Sequence, residues 1–298
     1  MVILPVVGLI VFNKPETEQV LVNTETENIY TVPETIKVRD NERVYNIAVK
    51  DYVISAVMAT MPVSFHEEAL KAQAAAIHTT VIRETVKNAE RDFDIDSGFM
   101  KTFTEARGRA FYTDGYEAAY EKIAAAVDET LPYVIMYESE PIAAAFFSCS
   151  AGLTENTDIP YLKSVESYET DSRTAVTFTE AEMKARIETE LDIAFGEIEI
   201  LERSEAKTVI KMKIGSQTLT GQTFKNILNL KSAAFYISED NGIYTITTLG
   251  QGSFIGMSQY GAEAMAQSGS SWQEIIEHYY TNVKIIKVRA RNFEVTTD

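Results

Sequence analysis

The chain has 298 residues, 45% of them hydrophobic and 24% charged, enough for one large domain or two small ones. Its formal net charge is -17 and its pI is about 4.7. No Lys/Arg cluster interrupts the acidity, which excludes a generic nucleic-acid binder, because phosphate neutralisation supplies most of that affinity. The single cysteine, Cys149, excludes an intrachain disulfide. His66, His78 and His278 show no close ligand spacing, so neither a metal nor any other cofactor is expected.

Residues 2–12, VILPVVGLIVF, are apolar but too few to span a bilayer, which takes about 20. They read as the tail of an export or anchor segment, with a buried N-terminal strand as the alternative. Residues 13–35 are polar, acidic and carry Pro15 and Pro33, which suits a stalk. Residues 36–50 alternate like a β-hairpin turning at Asp40-Asn41. Asp51 is placed to cap a short helix that Pro62 stops. In 67–90, Leu70, Ala74, Ile77 and Val81 fall on one helical face, and the many alanines allow close packing on several sides, so this helix is expected at the centre. Residues 92–116 are rich in Gly, Asp and Thr and read as a loop; 116–131 is a helix ending near Pro132. Two strands follow, turning at 138–140.

Residues 178–191 form an amphipathic helix with Thr179 and Glu182 at capping-box spacing. Residues 197–221 are β-like, 223–230 a short helix, and 234–250 a hairpin with Asn241-Gly242 at its tip. Two helices and a strand, 283–290, close the domain, leaving a tail at 289–298. Helices and strands mix without a βαβ rhythm, so the expected fold class is α+β: one domain over 36–288, with a sub-lobe at 175–222.

Three stretches carry a resemblance. DYVISAVMATMPVSFHEEALKAQAAAI (51–77) is similar to the pattern EYVxGVVAxEMPxxFxxEALKAQAxAART. PIAAAFFSCSAGLTENTDIPYLKSVES (141–167) is similar to PIxAxFxSxSGGxTEN followed by PYLxSVxS. LTGQTFKNILNLKS and GMSQYGAEAMAQSGSSWQEIIEHYYTNVKI complete the set in order and spacing. Together they resemble the stage II sporulation protein D family, SpoIID/LytB. The resemblance implies a peptidoglycan-remodelling domain outside the cytoplasmic membrane, behind an N-terminal anchor. It implies lytic-transglycosylase chemistry on glycan strands, and partnership with an amidase and a membrane protein of the engulfment machinery.

Breaking a glycosidic bond needs a proton on the leaving oxygen, usually from a carboxylic acid. The resemblance puts that acid/base Glu just before Met-Pro, where this chain has Thr60. Threonine is far too weak an acid to replace it, and losing an acid/base group costs about 10²–10⁴ in rate. Other positions depart as well: the family's Arg matches His78, and the His and Gly of its GHGVGMSQ segment match Ser253 and Phe254. Eighteen residues beyond Thr60, His78 is expected to face the same cleft. Among nearby carboxylates, Asp51 and Glu68 read as helix caps, and Glu155 is the best substitute acid.

The remaining polar residues read as a sugar-binding surface. Ser148, Ser150, Thr154, Glu155 and Asn156 form one loop; Ser253, Ser258, Gln259 and Tyr260 form another; Met61, Gln73 and His78 flank Thr60. The competing reading makes Gln259 and Tyr260 packing residues at a turn, and Gln73 a buried structural hydrogen-bonder. Three functions are therefore carried forward: a glycan-binding protein with impaired cleavage, an active transglycosylase with a displaced carboxylate, and an assembly domain without glycan affinity.

Overall fold

The computed structural model describes residues 31–170 and 172–291. The expectations for an anchor at 2–12 and for most of the stalk lie outside the described residues. No helix among the described residues is long and apolar enough to cross a membrane.

Strand Thr31–Pro33 pairs in parallel with Arg289–Arg291, so the two ends of the described chain meet. That pairing draws the end of the segment read as stalk, and the start of the segment read as tail, onto the domain. The hairpin Thr35–Asp40/Arg43–Ala48 follows, with Asn41 at φ 54° in its turn. Helix α1 spans Val49–Thr60 and begins after Ala48. Asp51 lies in its first turn, where it favours the helix dipole, and is not the cap. Helix α2 (Glu67–Lys87) is capped by His66, whose ring accepts the Glu68 amide.

The stretch read as a loop holds helix α3 (Glu105–Tyr112), capped by Thr104, and a single 3-10 turn. Glycine and arginine on a mostly solvated helix hid its periodicity. Helix α4 (Tyr116–Thr130) leads to strand Tyr133–Tyr137, which pairs with Glu140–Pro141 and with Lys284–Lys287. The second expected strand is broken: Phe146–Phe147 pairs in parallel with Met257–Ser258, and Cys149 forms a lone antiparallel bridge with Gln251.

Helix α5 (Glu180–Leu191) carries the expected Thr179/Glu182 capping box. Helix α6 (Gly221–Leu228), α7 (Gln259–Gln267) and α8 (Trp272–Tyr279) complete the helices. One three-stranded sheet is Ile198–Arg203, Val209–Ile214 and Gln217–Leu219; another places Ile243–Leu249 between Phe235–Asp240 and Arg173–Thr179. The fold is α+β, as expected.

Two apolar cores organise this chain. The larger surrounds α2, whose Leu70, Ala74, Ile77 and Val81 are each fully buried against α1, α4, α7 and α8. Alanines on the remaining faces let those neighbours approach closely, so the helix is central for the reason its sequence suggests. The smaller core, with Phe178, Met183, Phe224, Phe235 and Ile246, runs past residue 222 to take in the Asn241-Gly242 hairpin. Phe147, Leu249 and Phe254 belong to a further small cluster, with the Phe147 and Phe254 rings in contact.

Candidate functional site

Met61 leaves the helical region (φ −128°, ψ 139°) because the residue before a proline is sterically kept extended, and α1 ends there. Thr60 is its last residue. The Thr60 hydroxyl donates to the Ala56 carbonyl at 2.7 Å, the local bond that a threonine offers its own helix. Gln73 Nε2 donates weakly to Thr60 Oγ1 at 3.5 Å, and Gln259 Nε2 donates to the Thr60 carbonyl at 2.9 Å. Gln73 and Met61 are buried, and Gln73 Oε1 has no hydrogen-bond partner among the described residues. Lys122 on α4 fixes the turn by donating to the carbonyls of Val63 and Phe65.

A surface pocket of about 380 Å³ opens on this turn, lined by residues 58–64, Phe111 and Tyr112. None of these carries a carboxylate, an imidazole or an amine. The Tyr112 hydroxyl donates to the Met58 carbonyl, so α3 supplies a wall that the sequence had hidden. Beside the turn, Phe65 and Tyr260 meet edge to face at 5.0 Å, and Tyr260 remains 45% exposed. Glu263 on α7 accepts the His66 amide at 2.6 Å.

The second feature is a carboxylate outside the sequence reading. Glu169 Oε1 accepts from the Ser150 amide at 2.5 Å and from the Ser258 hydroxyl at 2.7 Å; its buried Oε2 has no hydrogen-bond partner among the described residues. Burial works to raise this carboxyl, but the Ser167 hydroxyl, the Ser150 amide and the Ser258 hydroxyl outweigh it and hold Glu169 below the ordinary glutamate value. Ser258 also caps α7 by accepting the Gly261 amide. Ser148 accepts the Tyr260 amide through its carbonyl. Gly261 packs so closely on Tyr279, Ser167 and Glu169 that a side chain there would collide with them. Glu169 thus ties the 148–150 and 257–261 segments together, alongside the short parallel pairing of Phe146–Phe147 with Met257–Ser258. It lies two residues beyond the PYLKSVES stretch and belongs to no periodic pattern, so no local signal marked it.

The residues read as sugar-facing divide in two. Ser150, Thr154, Ser258 and Gln259 are buried, with polar groups bonded within the protein: Ser150 Oγ accepts the Gly152 amide, and Thr154 Oγ1 accepts the Val165 amide and donates to the Lys163 carbonyl. Asn156, Ser253 and Tyr260 face solvent. Glu155 is half-buried and accepts the Ser204 hydroxyl at 2.7 Å, an attachment to the strand Ile198–Arg203 region. Phe254 adopts φ 63°, a backbone region that favours glycine, and its buried ring packs on Phe147.

His78 does not join this site. Thr60 at the end of α1 meets Gln73, whereas His78 shares a cavity with Val49 and Lys50 at the start of α1. The two helices run antiparallel, so His78, five residues past Gln73, is carried away from Thr60 toward the start of α1. His78 is 1% exposed, Nδ1 bonds the Tyr133 carbonyl, and burial pushes its pKa down to about 4. Glu68 is likewise structural: it accepts from Lys71 and from the Trp272 amide, linking α2 to α8.

The family model described as stage II sporulation protein matches residues 38–137, which include α1, the Thr60 turn and α2. Stage II sporulation protein D of Bacillus subtilis is 34% identical, over 92% of this chain and 87% of its own length. Its counterpart in Bacillus amyloliquefaciens is 36% identical, over 82% of this chain and 76% of its own length. A 50-residue stretch, 17% of this chain, is 46% identical to part of the amidase enhancer of Bacillus subtilis.

Proposed function

Since this chain belongs to the stage II sporulation protein D family, we propose that it is a sporulation protein acting at the cell wall that holds peptidoglycan glycan strands and has lost, or nearly lost, the capacity to cut them. The observation that carries this reading is the Thr60 turn. Its hydroxyl is committed to Ala56, and among the described residues lining the pocket above it none is able to deliver a proton at neutral pH. The exposed Tyr260 ring, with Phe65 behind it, offers a flat apolar face beside the groove, suited to a sugar ring. Asn156 and Ser253 add polar groups on the solvent side.

The alternative, cleavage through Glu155, finds less support, because that carboxylate is bonded to Ser204 and does not line the Thr60 pocket. An extracytoplasmic location behind an N-terminal anchor, and engagement of an amidase and a membrane protein in engulfment, complete the proposal. They rest on the family's character and on the apolar 2–12 segment. The short likeness to an amidase enhancer supports the cell-wall setting.

The test has two arms. Incubated with purified peptidoglycan, the protein is expected to release no anhydro-muramyl products by mass spectrometry; their appearance at a catalytic rate would overturn the loss of cleavage. Pelleting with insoluble peptidoglycan is expected to carry the protein down, and Tyr260→Ala to weaken that retention. Absence of co-sedimentation would leave the assembly-domain reading instead.

A further inference from the structure

Phe111, near the end of α3, is 67% exposed, more than any other large apolar side chain among the described residues. Its ring lines the pocket of about 380 Å³ on the Thr60 turn. A single exposed apolar side chain is ordinary on a protein surface, but this one is fixed in place. Phe103 packs against it at 5.3 Å, and Tyr112 meets it edge to face at 4.9 Å. The helix and the segment leading into it are pinned to α1 at two points. Ser55 bonds both the amide and the carbonyl of Phe103, and the Tyr112 hydroxyl donates to the Met58 carbonyl. The cations of this region lie over other rings, Lys101 and Arg107 over Phe103 and Arg109 over Tyr116; none lies over Phe111 among the described residues.

The rest of the pocket is uncharged. Besides the two rings, its lining side chains that reach solvent are Thr60, Pro62, Val63 and Ser64. Its backbone acceptors are largely occupied: the carbonyls of Met58, Thr60, Pro62 and Val63 already accept from Tyr112, Gln259, the Phe65 amide and Lys122. An ammonium brought here would give up water without meeting a carboxylate, and an unpaired charge is costly to bury. A ligand with an apolar face and neutral hydroxyl or amide groups escapes that penalty, and an aromatic wall supplies most of its contact.

We propose that Phe111 is a stacking platform of the Thr60 groove, and that the pocket it walls takes an uncharged, N-acetylated amino sugar in preference to the same sugar without its acetyl group. The C–H face of the sugar lies on the Phe111 ring, and the exposed Ser64 hydroxyl meets its polar groups. Because the ring is already held by its neighbours, little ordering accompanies binding. The inference rests on the reading of this groove as a glycan site. It adds a second ring to Tyr260, which packs on Phe65, the residue just past the lining stretch.

The test titrates the full chain by calorimetry with a tetramer of N-acetylglucosamine and with its fully de-N-acetylated counterpart. Salt of about 0.5 M keeps the acidic chain from gathering the cationic sugar unspecifically. The acetylated tetramer is expected to bind with affinity of about millimolar order, and the de-N-acetylated one about tenfold more weakly. Phe111→Ala should weaken the acetylated tetramer about tenfold, and Phe111→Trp should retain it. Equal binding of the two tetramers by the parent, no binding of the acetylated one, unchanged affinity in Phe111→Ala, or a Phe111→Trp variant as weak as Phe111→Ala would each overturn the inference. The comparison of tetramers on the parent decides the matter should the variants fail to fold. Peptidoglycan retention that Tyr260→Ala weakens and Phe111→Ala leaves intact overturns this inference and spares the glycan reading; absence of retention in the parent removes both.

Discussion

The Thr60 turn and the Glu169 nest both touch the 257–261 segment, through Gln259 and Ser258 respectively, and they are filled differently. At Thr60 a small hydroxyl closes a bond to its own helix, and the protein sends one weak donor, Gln73 Nε2, and one amide, from Gln259, toward that residue. At Glu169 a half-buried carboxylate is held by a backbone amide and a hydroxyl from segments far apart in sequence. The difference separates two jobs that polar residues perform around one groove. The nest fixes the shape of the 148–150 and 257–261 segments, and a protein that still needs the groove must keep it. The chemistry that the resemblance assigns to the Thr60 position can lapse while the shape remains.

The largest effect is expected where the comparison is sharpest. Glu169→Ala strands the Ser150 amide and the Ser258 hydroxyl, each of which had a charged acceptor, and should cost about 4 kcal/mol by urea titration. A cost under about 1 kcal/mol would mean that the nest does not hold the segments together. The folded carboxyl lies below its ordinary 4.5. Its stabilisation is therefore complete above that value and lost as pH falls through the lower, folded pKa. The stability curves of parent and Glu169→Gln should accordingly converge in acid.

His78 gives the next effect and shows how a third polar group behaves when it serves neither the nest nor the turn. Its folded pKa, about 4, is below the ordinary 6.5. The unfolded chain therefore takes up a proton first, and stability falls as pH drops from 6.5 toward 4. The gap corresponds to about 3 kcal/mol. The difference between the pH–stability curves of parent and His78→Gln should display this fall; parallel curves over that range would contradict it.

How much of this was legible in the chain depends on range. Helix α2 could be read because burial recurs at its own period, and the Thr179/Glu182 capping box because its two partners are three residues apart. Thr60 stood out because a long motif surrounds it. Glu169 could not be read, since its donors lie 19 and 89 residues away and a lone glutamate after a serine-rich loop has no signature. His78 was misplaced for a related reason: spacing along the chain says nothing about which end of an antiparallel partner helix a residue meets. Helix α3 escaped because little of it is buried; Gly108 is its one buried residue. The polar residues of the serine-rich loops were visible, but whether they face sugar or one another is a tertiary matter.

Gln259 connects the two regions, because it belongs to the segment that Glu169 organises and donates to the Thr60 carbonyl. Gln259→Ala should cost about 1.5 kcal/mol, since it leaves a carbonyl short of its donor and opens a small void. The amide of residue 60 should also exchange faster with solvent deuterium than in the parent. Unaltered exchange at the turn would show that the nest and the turn are uncoupled.

Thr60→Val should have the smallest effect, and its smallness is informative. The change deletes the Oγ1 bond to Ala56, whose carbonyl keeps its place in the helix ladder, and substitutes a methyl of similar size. The expected cost is about 0.5–1 kcal/mol, because an intrahelical hydroxyl bond contributes little and β-branching is retained. A threonine dispensable for folding at the position that the resemblance assigns to an acid is a residue that fills space. A cost near that of Glu169→Ala would reverse this view, making Thr60 a structural post and removing it as evidence about cleavage. Peptidoglycan retention by Thr60→Val that matches the parent would place the groove's remaining affinity on Tyr260 and its neighbours, where the exposed ring and the nest-held backbone meet.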